Sequence, residues 1–328
     1  MYYPRAISIM EKPKIKIKIG IPRGLLYHKY NVFWKSFFEG LGCDILVSPE
    51  TNKEILENGT NLAIDESCLS IKIFLGHIAY LKGKADYIFV PHFVSVHKGE
   101  RLCVKFWGIY DIAKNTFDDI KLVECTVDVD NFKPFFLGYF KMGWKFSKNP
   151  FKIIKSYFAA KKIEKENIEN LERAQWETIN SKKPETPSIL VLSHPYTTYD
   201  GLLGKPITKF LKEQGVNVIY SDIADKESRH LAKNISTDVY WSYNKDLLGS
   251  LEYYKKYIDG VVFLMTFPCG PDSLVINLCQ HKLNIPMTVL VLDELQGEAG
   301  IKTRLESFVD ILKLRKNIKK PALPITSL

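Results

Sequence analysis

The chain has 328 residues, 46% of them hydrophobic and 12% aromatic, enough to bury one large core or two. No apolar run reaches the roughly 18 residues that a membrane span needs, so none is expected. The formal net charge of +9 is carried almost entirely by lysine, without the arginine-rich or base-reading motifs of nucleic-acid recognition, so no nucleic-acid partner is expected.

In chain order, Ile15 to Ile21 reads as a strand that turns at Gly20-Ile21-Pro22-Arg23-Gly24. Leu25 to Leu41 carries apolar residues at helical spacing and stops at Gly42. Asp44 to Val47 is a strand, and Asn52 caps a short helix ending at Gly59. A helix from Glu66 to Leu81, a strand from Tyr87 to Val90, a helix from Gly108 to Phe117 and a strand from Lys121 to Val127 complete the unit. Phe151 to Asn180 is one long polar helix, closed by Pro184 and Pro187.

A second alternating unit follows. Its strands are Ser188 to Leu192, Val216 to Tyr220, Val261 to Phe267 and Met287 to Leu292. Its helices are Gly201 to Gln214, Asp225 to Ala232, Asn244 to Tyr257, Asp272 to His281 and Ile301 to Leu314. Such alternation predicts parallel sheets covered by helices. The expected architecture is α/β. Two Rossmann-like (flavodoxin-like) parallel-sheet domains, 1–148 and 184–328, are joined by a helical connector, 149–183, with the ligand cleft between them.

Residues 141 to 165 hold eight lysines and one acid, Glu164, and Lys313, Arg315, Lys316, Lys319 and Lys320 repeat the trend near the end. A solvated helix face is one reading, and a site for phosphates or an acidic protein partner is the other. Met1 to Gly20 contains no signal-peptide core, so a cytoplasmic, reducing location is expected. Six cysteines there favour metal binding, catalysis or packing over disulfides.

Cys43, Cys125 and Cys279 sit within or beside apolar elements and read as small hydrophobes. Cys68, Cys103 and Cys269 sit instead at element ends, where an open α/β sheet faces its ligand crevice. Three thiolates converging there would suit an iron–sulfur cluster, and a cubane so held keeps one iron free of protein ligands. His194 and Tyr196 leave a strand end toward the same crevice, as proton donors or, for His194, as a turn residue bonded to backbone. Arg23 on the first turn would hold an anion beside helix amides, or bridge to a carboxylate. Glu294 and Arg304 read as a pair or as a helix cap.

Six blocks in order resemble a known family. They are Gly20-Ile21-Pro22-Arg23-Gly24-Leu25-Leu26-Tyr27, Glu66-Ser67-Cys68 with Lys72 and Gly76-His77, and Cys103-Val104-Lys105-Phe106-Trp107-Gly108. In the second half come His194-Pro195-Tyr196 with Asp200, Phe267-Pro268-Cys269-Gly270-Pro271-Asp272-Ser273, and Asp293 to Gly300 with Thr303-Arg304-Leu305-Glu306. Together they resemble the domain attached to, or encoded beside, the ATP-dependent activators of 2-hydroxyacyl-CoA dehydratases. Two departures stand out: Val104 replaces a usual proline, and Leu295-Gln296 replaces a usual His-Thr.

The resemblance implies membership of the superfamily of 2-hydroxyacyl-CoA dehydratases, benzoyl-CoA reductases and double-cubane cluster proteins. It implies a 4Fe–4S cubane, or alternatively an 8Fe–9S double cubane, on Cys68, Cys103 and Cys269. Arg23, Gly24 and Lys72 are the candidate substrate- or anion-binding residues, and His194 and Tyr196 the candidate catalytic ones. The partners implied are an ATP-hydrolysing iron–sulfur activator and an acyl-CoA or other small substrate, with neither nucleic acid nor membrane. A homodimer stays open. The chain would then accept electrons, since it carries no phosphate-binding Gly-x-x-x-x-Gly-Lys loop of its own. The alternative is a metal-free two-domain binding protein or transferase for a phosphorylated ligand.

Overall fold

The computed structural model describes residues 16–181, 183–223, 226–295 and 297–318. Ile15, Asp225, Gln296, Lys319 and Lys320, all named above, lie outside the described residues.

The first half runs β1 (Lys18–Ile21), α1 (Tyr27–Leu41), β2 (Asp44–Val47), α2 (Lys53–Leu62), α3 (Leu69–Leu81), β3 (Tyr87–Ser95), α4 (Val104–Thr116) and β4 (Leu122–Asp128). Two helices follow, α5 (Phe135–Gly143) and α6 (Pro150–Asn180). The second half runs β5 (Ser188–Leu192), α7 (Pro195–Thr198), α8 (Gly204–Glu213), β6 (Asn217–Tyr220), a 3-10 stretch (Lys226–Asn234), α9 (Ser242–Tyr254), β7 (Gly260–Thr266), α10 (Gly270–Lys282), β8 (Met287–Leu292) and α11 (Glu298–Ile318).

Each half holds one four-stranded sheet, in the orders β2-β1-β3-β4 and β6-β5-β7-β8, and every pairing is parallel. The expected α/β class therefore holds, with the same topology used twice. Every residue of β5 and β7 is buried, as befits parallel strands covered on both faces. In each sheet the chain reverses its direction of travel beside the first strand, which opens a crevice at the strand carboxyl ends.

Three departures from the expected elements have local causes. β3 runs past Pro91 to Ser95, because beyond Ile88 its only strand neighbour among the described residues is β4, and Pro91 needs no donor on the other side. The segment expected as an α-helix near Asp225 to Ala232 is 3-10 over Lys226–Asn234. Helix α5 was not expected, for Phe135-Phe136-Leu137-Gly138-Tyr139-Phe140 is apolar nearly all round and shows no helical stripe.

The halves share their packing. Leu69 and Ile73 of α3 belong to the core cluster formed by α8, α11 and the second sheet, while Tyr243 of α9 joins the core of the first half. Helix α6, about 46 Å long at 1.5 Å per residue, buries Ile153, Tyr157 and Ala160 among its early turns. Its far end docks through Gln175, which bonds the backbone of Tyr220 in both directions, at 3.0 and 2.8 Å, and the Tyr254 hydroxyl at 2.8 Å.

Candidate functional site

Cys68, Cys103 and Cys269 line a single cavity of about 40 Å³ between the two halves, joined there by His194, Tyr196, Lys105, Asn244 and Asp272. Each cysteine is the N-cap of its helix, Cys68 of α3, Cys103 of α4 and Cys269 of α10. The duplication explains the arrangement. Cys103 and Cys269 start the helices that follow the third strand of their sheets, and Cys68 starts the helix that precedes β3. The equivalent helix before β7 is α9, whose N-cap is Trp241, and Trp241 lines the cavity too. These four helix starts thus meet, three bearing cysteine and the fourth an indole, and the short α7 adds its own cap, His194.

Backbone bonds fix these starts to one another. The Leu69 amide donates to the Phe267 carbonyl at 2.9 Å, tying the Cys68 helix to the Cys269 turn. On the other side the Arg101 amide donates to the Tyr240 carbonyl at 3.1 Å, and the Ser242 amide to the Arg101 carbonyl at 2.9 Å. This parallel bridge between Arg101 and Trp241 locks the Cys103 loop to the start of α9. Glu100 strengthens it by accepting from Lys245 at 3.0 Å, from the Ser242 hydroxyl at 3.1 Å and from Arg229.

Burial pushes all three thiols above their ordinary range. For Cys68 the nearby Ile71 amide offsets part of the effect and Cys103 adds to it. For Cys103 the offset comes from the Lys105 amide. Cys269 is raised furthest, by burial and then by the Asp272 carboxylate beside it. Without a bound cation the three are therefore thiols. Positive helix ends and a bound cation both pull such groups toward thiolate.

Asp272 is the hub that sequence reasoning did not single out. Its Oδ1 lies 2.9 Å from His194 Nε2 and accepts from Asn244 Nδ2 at 2.8 Å. Burial works to raise its pKa, but His194, Asn244 and Cys269 overcome it and hold the carboxyl below its usual range. His194 is thus partnered by a buried carboxylate, not by backbone. Tyr196 stacks on the imidazole at 5.0 Å between ring centroids, and burial keeps its hydroxyl protonated far above the usual range.

The other predicted residues lie elsewhere. Arg23 Nε donates to the Ser48 carbonyl at 3.1 Å and its Nη1 reaches Glu50 at 3.5 Å, so the carboxylate bridge is the reading realised. Gly24 packs against Phe74, where a Cβ would meet the ring at 3.3 Å. Lys72 is buried and pairs with Glu294 at 2.8 Å. Glu294 and Arg304 do not pair with each other, because Arg304 donates to the Val289 carbonyl. None of these five lines the cavity.

A second buried polar group joins residues whose meeting no sequence pattern announced. His77 Nε2 lies 3.0 Å from Thr51 Oγ1, which in turn donates to Asp200 across the two halves. That hydroxyl proton is committed to Asp200, so His77 carries its own proton on Nε2, and its buried Nδ1 has no partner. His28 Nε2 is likewise buried and unpartnered. Among the described residues, no group of three or more His, Cys, Asp or Glu is arranged to hold a metal ion, and no helix is long and apolar enough to cross a membrane.

Residues 18–223 match the family model described as the CoA enzyme activase uncharacterised domain (DUF2229). The chain belongs to this family. The activase-related domain so defined takes in the first four blocks, including Cys68, Cys103, His194 and Tyr196, and ends before Cys269. No curated protein matches the chain. Among solved structures, the periplasmic metal binding protein of Candidatus Liberibacter asiaticus is 13% identical at a TM-score of 0.27, over 90% of this chain and 99% of that one. Its Mn-bound form is 13% identical at a TM-score of 0.28, with the same coverage. The periplasmic zinc binding protein TroA of Treponema pallidum is 9% identical at a TM-score of 0.27, over 92% of this chain and 99% of that one. Overlap this loose says nothing about the site.

Proposed function

We propose that this activase-related domain is an iron–sulfur protein of the 2-hydroxyacyl-CoA dehydratase type, working in a reducing compartment. It takes low-potential electrons from a separate ATP-hydrolysing activase and uses or relays them at a cluster held by Cys68, Cys103 and Cys269. The observation that carries this reading is the meeting of three cysteine-capped helix starts around one cavity between the halves. The three cysteines do not close on a single metal ion, but the chemistry of the donors supports the reading, since each thiolate of a cubane would meet a different iron and each cysteine caps the positive end of its own helix.

When bound, such a group supplies one-electron chemistry that no side chain here provides. The chain's own contributions follow from the geometry. The three thiols lose their protons on ligation, so affinity rises with pH. The His194–Asp272 pair keeps a proton at His194 Nε2 beside the cavity, and Tyr196 remains a hydroxyl donor. Apolar walls from Leu25, Ile71, Leu102 and Phe106 limit the access of water. About 40 Å³ is room for about three waters, so loading has to part the walls between the halves. A phosphorylated ligand, the alternative, finds only Lys105 as a cation among the residues lining the cavity.

The test is anaerobic purification followed by iron and sulfide assay. About four irons per chain are expected for a cubane and about eight for a double cubane. Serine at Cys68, Cys103 or Cys269 should each remove most of the iron. Alanine at Cys43, Cys125 or Cys279 should leave it bound, at a cost of about 1 kcal/mol for a small buried side chain. A protein that stays colourless after reconstitution with iron and sulfide would overturn the reading.

A further inference from the structure

Helices α5 and α6 carry an outward face that does not serve the cavity. Along α6, Phe151, Lys155, Phe158, Lys162 and Lys165 follow one another at steps of four and three residues, a single stripe of the helix. The buried residues Ile153, Ser156, Tyr157 and Ala160 occupy the opposite side. Phe151 is 81% exposed and Phe158 57%. The same order begins on α5 with Leu137, Lys141 and Trp144, whose apolar members are 50% and 42% exposed.

The two stripes form one patch. Ring centroids lie 6.0 Å apart for Phe158 and Phe136, 5.9 Å for Phe136 and Phe140, and 6.1 Å for Phe140 and Trp144. All eight lysines between residues 141 and 165 are exposed, and the one acid in that stretch, Glu164, is partly buried.

Charge and composition together select the occupant. A second copy of this chain would set eight lysines against eight. An acidic protein is the next candidate, but protein interfaces favour arginine and are depleted in lysine, and no cation between 141 and 165 is an arginine. Lysine and aromatic rings mixed along one stripe suit a lipid headgroup layer. There the rings settle at the acyl boundary, while lysine stems lie along it with their ammonium groups among anionic headgroups.

We propose that α5 and the first half of α6 form a docking face for an anionic lipid surface, holding the protein at a membrane by adsorption. The expectation of no membrane partner rested on the missing span, and adsorption of this kind needs none. The proposal is independent of the cluster reading.

The experiment is co-sedimentation of the full chain with vesicles of equal parts phosphatidylcholine and phosphatidylglycerol, beside vesicles of phosphatidylcholine alone, at low and high salt. Partitioning onto the anionic vesicles alone, weakened by salt, is expected. Each lysine near such a surface is worth about fivefold, so Lys155→Ser with Lys161→Ser should weaken partitioning on the order of twentyfold. Phe151→Ser with Phe158→Ser should also release the protein, with circular dichroism unchanged because both rings are exposed. Equal binding to neutral vesicles, no binding at low salt, or binding indifferent to both pairs would overturn the proposal. So would an absence of vesicle binding combined with lysine-dependent association with the cognate activase, which would assign the face to an acidic protein.

Discussion

His77 sits in the inter-half network with its imidazole buried and neutral, and near it lies the half-buried His28, whose Nε2 is shut away from solvent. Burial, aided by neighbouring positive charge, lowers His28 to about 4 and His77 to about 3. A depressed pKa means that the unfolded chain binds these protons first as pH falls. Their contribution is therefore complete above the unfolded value near 6.5 and is lost as pH drops through the folded values. Chemical denaturation should accordingly show stability falling from pH 6.5 down to about 3, by several kcal/mol in all. His77→Gln should flatten that slope, and an unchanged slope in the variant would assign the loss to other groups. At this scale the cysteines were legible because each stands in a motif at an element end. The meeting of Thr51, His77 and Asp200 was not, although His77 and Asp200 stand in motif blocks, because the partners lie 26 and 149 residues apart in sequence and no local pattern announces it. The pairing of His194 with Asp272, 78 residues on, was hidden for the same reason.

Helices α2 and α3 cross at two glycines. A Cβ on Gly59 would come within 1.8 Å of the Lys72 carbonyl oxygen, and one on Gly76 within 1.9 Å of the Ile55 carbonyl oxygen. These are backbone atoms that no rotamer change relieves, so the helices must separate. Gly76→Ala should cost about 3 kcal/mol or more, the upper range for overpacking, and thermal melting would show it. Adding Gly59→Ala should cost less than the sum of the two singles, because both act on one crossing. Since α3 presents Cys68, the same variant should loosen the cavity. The helix–strand alternation was readable because apolar spacing and glycine or proline stops are local signals. The start of α3 at Cys68 was readable too, but that of α4 was not, because its cap is a cysteine and not the serine, threonine or aspartate that usually marks a start. Helix α5 escaped notice because its rings pack on neighbours on several sides, which erases the polar face a stripe requires.

Across the whole molecule, one topology repeated in both halves brings four helix starts to a common point. The alternation of elements made this duplication visible in outline. The exchange of Leu69, Ile73 and Tyr243 between the two cores could not be seen, since apolar residues carry no mark of which core they enter. Closure rests heavily on Glu100, only 13% exposed, which gathers Arg229, Lys245 and Ser242 from the other half. Breaking a largely buried ion cluster on one side strands the remaining charges. Glu100→Gln should therefore raise the rate at which iodoacetamide alkylates Cys103, by about tenfold or more if opening limits access. An unchanged rate would mean that the backbone bridge at Arg101 suffices alone. The fourth helix start has a use of its own. Because its indole stands in the cavity wall, Trp241 is a built-in fluorophore whose emission senses the polarity and absorbance of whatever enters. Occupancy of this protein is thus open to optical titration without attaching a dye.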